Sequence, residues 1–163
     1  MVYLKTLLFT VLVPGTVAGL VPYWIRAATG AAPAEPLLRA LALLLAAGGL
    51  AIYLWCALDF ARAAGTPAPI DPPKELVARG LYRYSRNPMY VGVLSLIAAQ
   101  ALYFTSSGTL LYAALLFLAF HSFVVLYEEP TLARSFGAAY QRYRASVPRW
   151  IPKLPPRAGD AEG

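Results

Sequence analysis

Four apolar runs dominate this chain, and their lengths limit what it can fold into. From Leu37 to about Phe60 the sequence is rich in Leu and Ala, with Arg39 and Asp59 as the only charges. Comparable runs cover about Val2 to Trp24, Pro88 to Phe104 and Thr109 to Tyr127. Each is near the roughly 20 residues that cross a hydrocarbon core as a helix. Hydrophobic residues make up 59% of the 163, and charged residues only 13%. A soluble domain of this size keeps much of its surface exposed and could not hide so much apolar area. The excess must face lipid. The expectation is an all-α, polytopic membrane protein with about four transmembrane helices and one domain's worth of chain.

The first run begins near Lys5 like a secretory leader, yet it is long and ends in the interfacial pair Tyr23-Trp24 rather than a cleavage site. It reads as a membrane helix kinked at Pro14-Gly15. Gly48-Gly49 in the second run offers a close helix contact. The stretch from Ala61 to Asn87 is polar and broken by Pro67, Pro69, Pro72 and Pro73, so it cannot span. Pro88 suits the first turn of a third helix, and Ser106-Ser107-Gly108 the turn to a fourth. This divides the chain into an N-terminal hairpin (1–60), a cytoplasmic loop (61–87), a helical hairpin with a C-terminal segment (88–154) and a disordered tail (155–163).

The net charge of +6 would suit nucleic acid, but the cations fall in the gaps between apolar runs. That pattern reports topology and contact with anionic lipid; no nucleic-acid partner is expected. Arg62, Lys74, Arg79, Arg83 and Arg86 share the long loop, and Arg134, Arg142, Arg144, Arg149, Lys153 and Arg157 the tail. Only Arg26 and Arg39 lie opposite, which places loop, tail and both termini in the cytoplasm. Beyond the fourth run, Leu132, Phe136, Tyr140 and Tyr143 recur at helical spacing. They give residues 128–146 the pattern of an amphipathic helix lying on the membrane surface. Trp150 reads as an interfacial anchor. A single cysteine, Cys56, and a single histidine, His121, exclude a cysteine- or histidine-built metal site.

Two polar clusters remain. Arg79 to Gly92 enters the third helix, and Glu128-Glu129 leaves the fourth, followed by Arg134. A tight hairpin brings both to the same membrane face. Adjacent carboxylates at the edge of hydrocarbon need cationic compensation. Arg86, Arg134 or a ligand could supply it. Any one of these charges taken alone also fits plain ion pairing or lipid anchoring. His121 lies two turns before Glu128 and could act as a base or simply hydrogen-bond a neighbouring helix.

Together these pieces resemble a known family. Arg79-Gly-Leu-Tyr, Ser85-Arg86-Asn87-Pro88-Met89-Tyr90-Val91-Gly92, Glu128-Glu129, Leu132, Phe136-Gly137, Tyr140, Tyr143 and Val147-Pro-Arg-Trp-Ile-Pro152 are similar to the isoprenylcysteine carboxyl methyltransferase and phospholipid methyltransferase superfamily. The resemblance implies an integral membrane methyltransferase using S-adenosyl-L-methionine, with a lipophilic acceptor entering from the bilayer. Carried onto this chain, Arg86, Asn87, Pro88, Tyr90 and Gly92 would border the cofactor, as would Glu128 and Glu129 at its cationic end. Arg134 and Glu128 would serve the acceptor and the reaction. The family's carboxyl methyltransferases usually carry His where this chain has Asn87, which cannot carry a proton; this tells against an isoprenylcysteine substrate and not against methyl transfer. The rivals are a phospholipid amine N-methyltransferase and, from another class, a non-catalytic helical subunit or small transporter.

Overall fold

The computed structural model describes residues 12–62 and 76–153. Lys5, Lys74, the prolines 67–73, Arg157 and the expected disordered tail lie outside those residues. Everything described is helix, turn or irregular chain, with no strand among the described residues.

Residues 12–15 are helical and pass through a π-helical turn, Thr16–Leu20, into helix α1, Val21–Thr29. The helix therefore runs past Trp24, where the sequence pattern ended it. Gly30 stops it in the left-handed conformation that glycine adopts without steric cost (φ 64°). Helix α2 spans Pro36–Arg62, α3 Pro88–Tyr103 and α4 Ser107–Phe123. A second π turn, Val124–Glu128, joins α4 without a break to α5, Glu129–Ser146. The α3–α4 turn begins two residues earlier than expected, at Phe104-Thr105. Ser106 caps α4 by accepting the Thr109 N–H at 3.2 Å, so Ser107 and Gly108 are already helical.

Both π turns have the same cause. A proline lacks an N–H and its ring crowds the carbonyl four residues earlier. Pro22 follows the first π turn and Pro130 the second, each by two residues. The widened turn absorbs the clash. Pro22 thus contributes to the distortion that the sequence pattern assigned to Pro14-Gly15 alone. The carbonyl four residues before Pro22 belongs to Ala18. It accepts the side-chain amide of Gln100 at 2.6 Å, and the Val17 carbonyl accepts the Tyr112 hydroxyl at 2.9 Å. In an apolar bundle a freed carbonyl needs such a donor.

Among the described residues two helices are long and apolar enough to cross a membrane: Pro36–Arg62 and the continuous Ser107–Ser146, whose apolar part ends near Tyr127. Only 28% and 11% of their apolar windows are buried, unlike core helices of a soluble protein. Their outward faces carry Leu43, Leu44, Trp55 and Leu58, and Leu110, Leu111, Leu115 and Leu118. The third apolar helix, Pro88–Tyr103, is shorter.

Helices α2 and α3 make the closest pairing. A Cβ built on Gly49 would lie 2.9 Å from the Gly92 carbonyl oxygen, and one on Gly92 would lie 2.8 Å from that of Gly49. Two backbones touch where neither residue has a side chain, the usual way membrane helices approach closely. Gly48 faces open space. Around this crossing Ala18, Tyr53, Cys56, Val93, Ile97 and Ala113 form the core.

The expected single surface helix at 128–146 is interrupted. Gly137 takes φ 51°, ψ −125°, so Leu132 and Phe136 do not share a continuous stripe with Tyr140 and Tyr143. Glycine alone adopts that conformation readily. Tyr140 turns inward and is fully buried.

Candidate functional site

Both polar clusters come together at one end of the bundle. Before α3, residues 76–87 form irregular chain with one 3-10 turn, Gly80–Arg83, packed on the end of α2. Gly80 (φ 57°) presses against the Asp59 side chain, and the Arg79 guanidinium donates to the Asp59 carbonyl at 3.1 Å. This fixes the approach to Ser85-Arg86-Asn87. Pro88 opens α3, as expected, and is itself buried at the first turn. Asn87 sits at the cap position but does not cap the helix. Its side-chain amide donates instead to the Arg149 carbonyl at 3.1 Å.

The C-terminal segment 147–153 closes over this region. Arg86 N–H donates to the Pro148 carbonyl at 2.9 Å and Lys153 N–H to that of Tyr84 at 3.0 Å. The Ser85 hydroxyl donates to the carbonyls of Arg149 and Trp150, each at 3.1 Å. Trp150, read from the sequence as an interfacial anchor, also packs into the protein: its indole N–H donates to Nδ1 of His121 at 3.1 Å, and its ring packs on Phe117 and Tyr90. Of the two roles open to His121, the structure shows the hydrogen-bonding one, directed to the C-terminal segment.

The adjacent glutamates have divergent surroundings. Glu129, 7% exposed, accepts two hydrogen bonds from Arg149, at 2.6 and 3.1 Å, and one from Arg86 at 2.9 Å, with Arg144 at 4.0 Å. Burial alone would raise its carboxyl. The Arg149 hydrogen bond and the charges of Arg86, Arg149 and Arg144 outweigh that and hold it below its ordinary value. Glu128 has no such company: among the described residues it forms no ion pair, and its Oε2 accepts the Tyr90 hydroxyl at 3.1 Å. Burial pushes the Glu128 carboxyl above its ordinary value; the Tyr90 bond opposes this and the Glu129 charge adds to it. Chain geometry produces the contrast. Successive helical residues point about 100° apart, so one acid meets the arginines and the other the space between helices.

That space is a cavity of about 420 Å³. Arg86, Asn87, Tyr90 and Glu128 line one end; Val13, Pro14, Val17, Tyr53, Phe120 and Phe123 are among the apolar walls. Its size lies in the range of small-molecule sites, about 300–1,000 Å³. Of the residues expected at a cofactor, four line the cavity: Arg86, Asn87, Tyr90 and Glu128. Glu129 stands behind Arg86 as its counterion. Gly92 is spent on the helix crossing with Gly49, and Pro88 on starting α3. Arg134 is exposed, with its guanidinium on the Thr131 hydroxyl at 3.3 Å, and does not line the cavity. Sequence reasoning missed the part played by Arg149, which it placed among the tail cations and in the resembling Val147 to Pro152 segment without a role. The signal available was the need of a buried acid for a cation, together with the resemblance across Val147 to Pro152. No group of His, Cys, Asp and Glu suited to a metal occurs among the described residues.

An all-helical chain with membrane-length apolar helices and one polar-ended cavity between them defines the class. The chain belongs to the phospholipid methyltransferase (PEMT) family, whose profile matches residues 37–139. It is also 38% identical over 81 residues to Protein-S-isoprenylcysteine O-methyltransferase of Schizosaccharomyces pombe. That match covers 49% of this chain and 34% of the yeast protein, so the chain corresponds to about a third of that relative's length. No solved structure gave a significant match. The segment that supplies Arg149 and Trp150 lies beyond the family match.

Proposed function

We propose that this protein is a membrane methyltransferase that carries a methyl group from S-adenosyl-L-methionine to a lipophilic or small apolar acceptor within the cavity at Glu128. The observation that carries this reading is a half-buried carboxylate, Glu128, lining an apolar cavity with, among the described residues, only a tyrosine hydroxyl as partner. Such a group calls for a cation, and the cofactor carries two, on its sulfonium and ammonium groups. The remaining lining fits as well. Among the described residues the buried Nε of Arg86 has no hydrogen-bond partner, which makes it a donor suited to the cofactor's carboxylate. Tyr90 and Phe120, their rings 4.6 Å apart, offer an aromatic surface for adenine.

The cofactor, when bound, supplies the activated methyl group. This chain's residues supply position. Glu128 and Arg86 would hold the polar end, and Glu129 with Arg149 keeps Arg86 in place. Trp150, docked on His121, packs behind Tyr90 and supports that ring from outside the lining. Ordering both reactants in line contributes up to about 7–11 kcal/mol in ideal cases. The apolar walls from the N-terminal helix and α4 give an acceptor a route from the bilayer. In this reading the four apolar runs are four spans, with the cavity's polar end and both termini in the cytoplasm according to the distribution of arginine and lysine.

The test is transfer of labelled methyl from S-adenosyl-L-methionine into a membrane lipid extract by the purified protein. Label in the organic phase that depends on Glu128 is expected. Folded protein that transfers none would contradict the reading.

A further inference from the structure

The indole of Trp150 lies outside the cavity lining, yet its contacts lead to it. Its N–H donates to Nδ1 of His121 at 3.1 Å, and its ring centre lies 5.2 Å from that of Phe117, one turn earlier on α4. The same indole lies 6.4 Å from the ring of Tyr90, which also packs on Phe120 at 4.6 Å. The Tyr90 hydroxyl in turn donates to Oε2 of Glu128 at 3.1 Å. Two successive residues of the C-terminal segment therefore serve two successive acids. Arg149 bonds Glu129 directly, and Trp150 reaches Glu128 through Tyr90.

Each link has a physical cause. An indole nitrogen only donates, and an imidazole nitrogen accepts only when it carries no proton. Leaving either group unpaired among apolar side chains is costly, so the pair holds the indole in one orientation. A phenol ring swings about two side-chain torsions, and its hydroxyl travels farthest. Packing by Phe120 and Trp150, tilted at 39° and 57° to the Tyr90 ring, restricts that swing. His121 itself does not line the cavity, so it meets no reactant held there and acts through the indole.

Resting on the proposed cofactor site, we infer that His121 is a positioning residue for it. By holding Trp150 it braces Tyr90, and the braced tyrosine keeps its hydroxyl on Glu128. The carboxylate is then presented to the cofactor's cationic end in one orientation and loses less freedom on binding.

The experiment uses the purified full chain in detergent micelles, with folding verified for every variant and S-adenosylhomocysteine affinity measured by calorimetry. His121→Leu removes the acceptor and is expected to weaken binding about fivefold, close to 1 kcal/mol. His121→Asn returns a carbonyl oxygen near the place of Nδ1 and should recover most of that loss. In a Tyr90→Phe background the hydroxyl being aimed is gone, and His121→Leu should then change affinity less than about twofold. A merely structural role predicts the same loss in both backgrounds. With 15N-labelled indoles the three tryptophans are distinguishable; the resonance lost in Trp150→Phe should move upfield in His121→Leu and stay in place in His121→Asn.

Unchanged affinity in His121→Leu, an equal loss in both backgrounds, or no recovery in His121→Asn overturns the inference and leaves the cofactor site standing. Folded wild type that binds no S-adenosylhomocysteine overturns both. Should His121→Leu fail to fold, Trp150→Phe carries the test, because it removes the indole N–H and keeps an aromatic ring. The same fivefold loss, confined to the Tyr90 background, is expected of it, and wild-type affinity in that variant overturns the inference.

Discussion

Arg149 reaches Glu129 with two guanidinium nitrogens, Nε at 2.6 Å and Nη2 at 3.1 Å, while its own carbonyl accepts from Asn87 and Ser85. One residue thus ties the C-terminal segment to α5 through its side chain and to the start of α3 through its backbone. The side-chain half of that tie can be removed without disturbing the backbone half. Arg149→Met is expected to lower stability by about 1.5–3 kcal/mol, the scale of hydrogen bonds to a charged group. Arg142→Ala, on an exposed position of the same helix, should stay within about 0.5 kcal/mol. Denaturant unfolding in detergent measures both, and equal effects would contradict the tie.

The same carboxylate sets an acid limit. Glu129 is held below its ordinary value in the folded chain, so the folded state keeps this charge to lower pH than the unfolded chain does. Its stabilising contribution is complete above the unfolded carboxylate pKa of about 4.3 and is lost as pH falls through the folded value. Glu129→Gln should therefore cost most at neutral pH and progressively less in acid. Glu128, shifted the opposite way chiefly by burial, is present in both proteins, so that main contribution cancels and only the part due to the Glu129 charge differs. A mutational cost that grows as pH falls would refute the assignment.

The helix crossing offers an internal control. Gly49 lies against the Gly92 carbonyl and Ser95, whereas Gly48 faces open space. Gly49→Val should destabilise by about 1–3 kcal/mol through overpacking, and Gly48→Val should do so far less. Thermal unfolding distinguishes them, and the reverse order would mean that the crossing is formed by another face.

Gln100 and Pro22 should be coupled. Gln100→Met removes the donor to the Ala18 carbonyl that Pro22 frees. The expected cost is about 1–2 kcal/mol, typical of a polar contact between membrane helices. With Pro22→Ala the carbonyl regains a donor within its own helix, and the cost of Gln100→Met should shrink in the double-mutant cycle. Strict additivity would show that the amide serves something else.

Much of this was legible in the residues. Apolar runs between prolines, glycines and cations located the helices, because in hydrocarbon a helix satisfies its own backbone. Pro88 marked the start of α3, and the pairing of the 79–92 cluster with Glu128-Glu129 followed from a short hairpin. Less legible were features that depend on direction around an axis. Nothing local says that Gly92 meets Gly49 and not a ligand, since both uses require the absence of a side chain. Arg134 looked better placed than Arg149 because it is nearer in sequence to Glu129. Whether it reaches the site depends on α5's rotation, which the Val124–Glu128 π turn alters. The apolar walls were hidden for a related reason: Val13, Val17, Phe120 and Phe123 look the same in sequence whether they face lipid, protein or a cavity.

The most direct test of the account is calorimetric titration of S-adenosylhomocysteine into the wild-type chain, Glu128→Gln and Arg142→Ala, with folding verified for each. Micromolar binding by the wild type is expected, weakened at least tenfold in Glu128→Gln, a loss of about 1.4 kcal/mol, and unchanged in Arg142→Ala. Wild-type affinity retained by Glu128→Gln would show that the cavity at Glu128 is not where the cofactor binds.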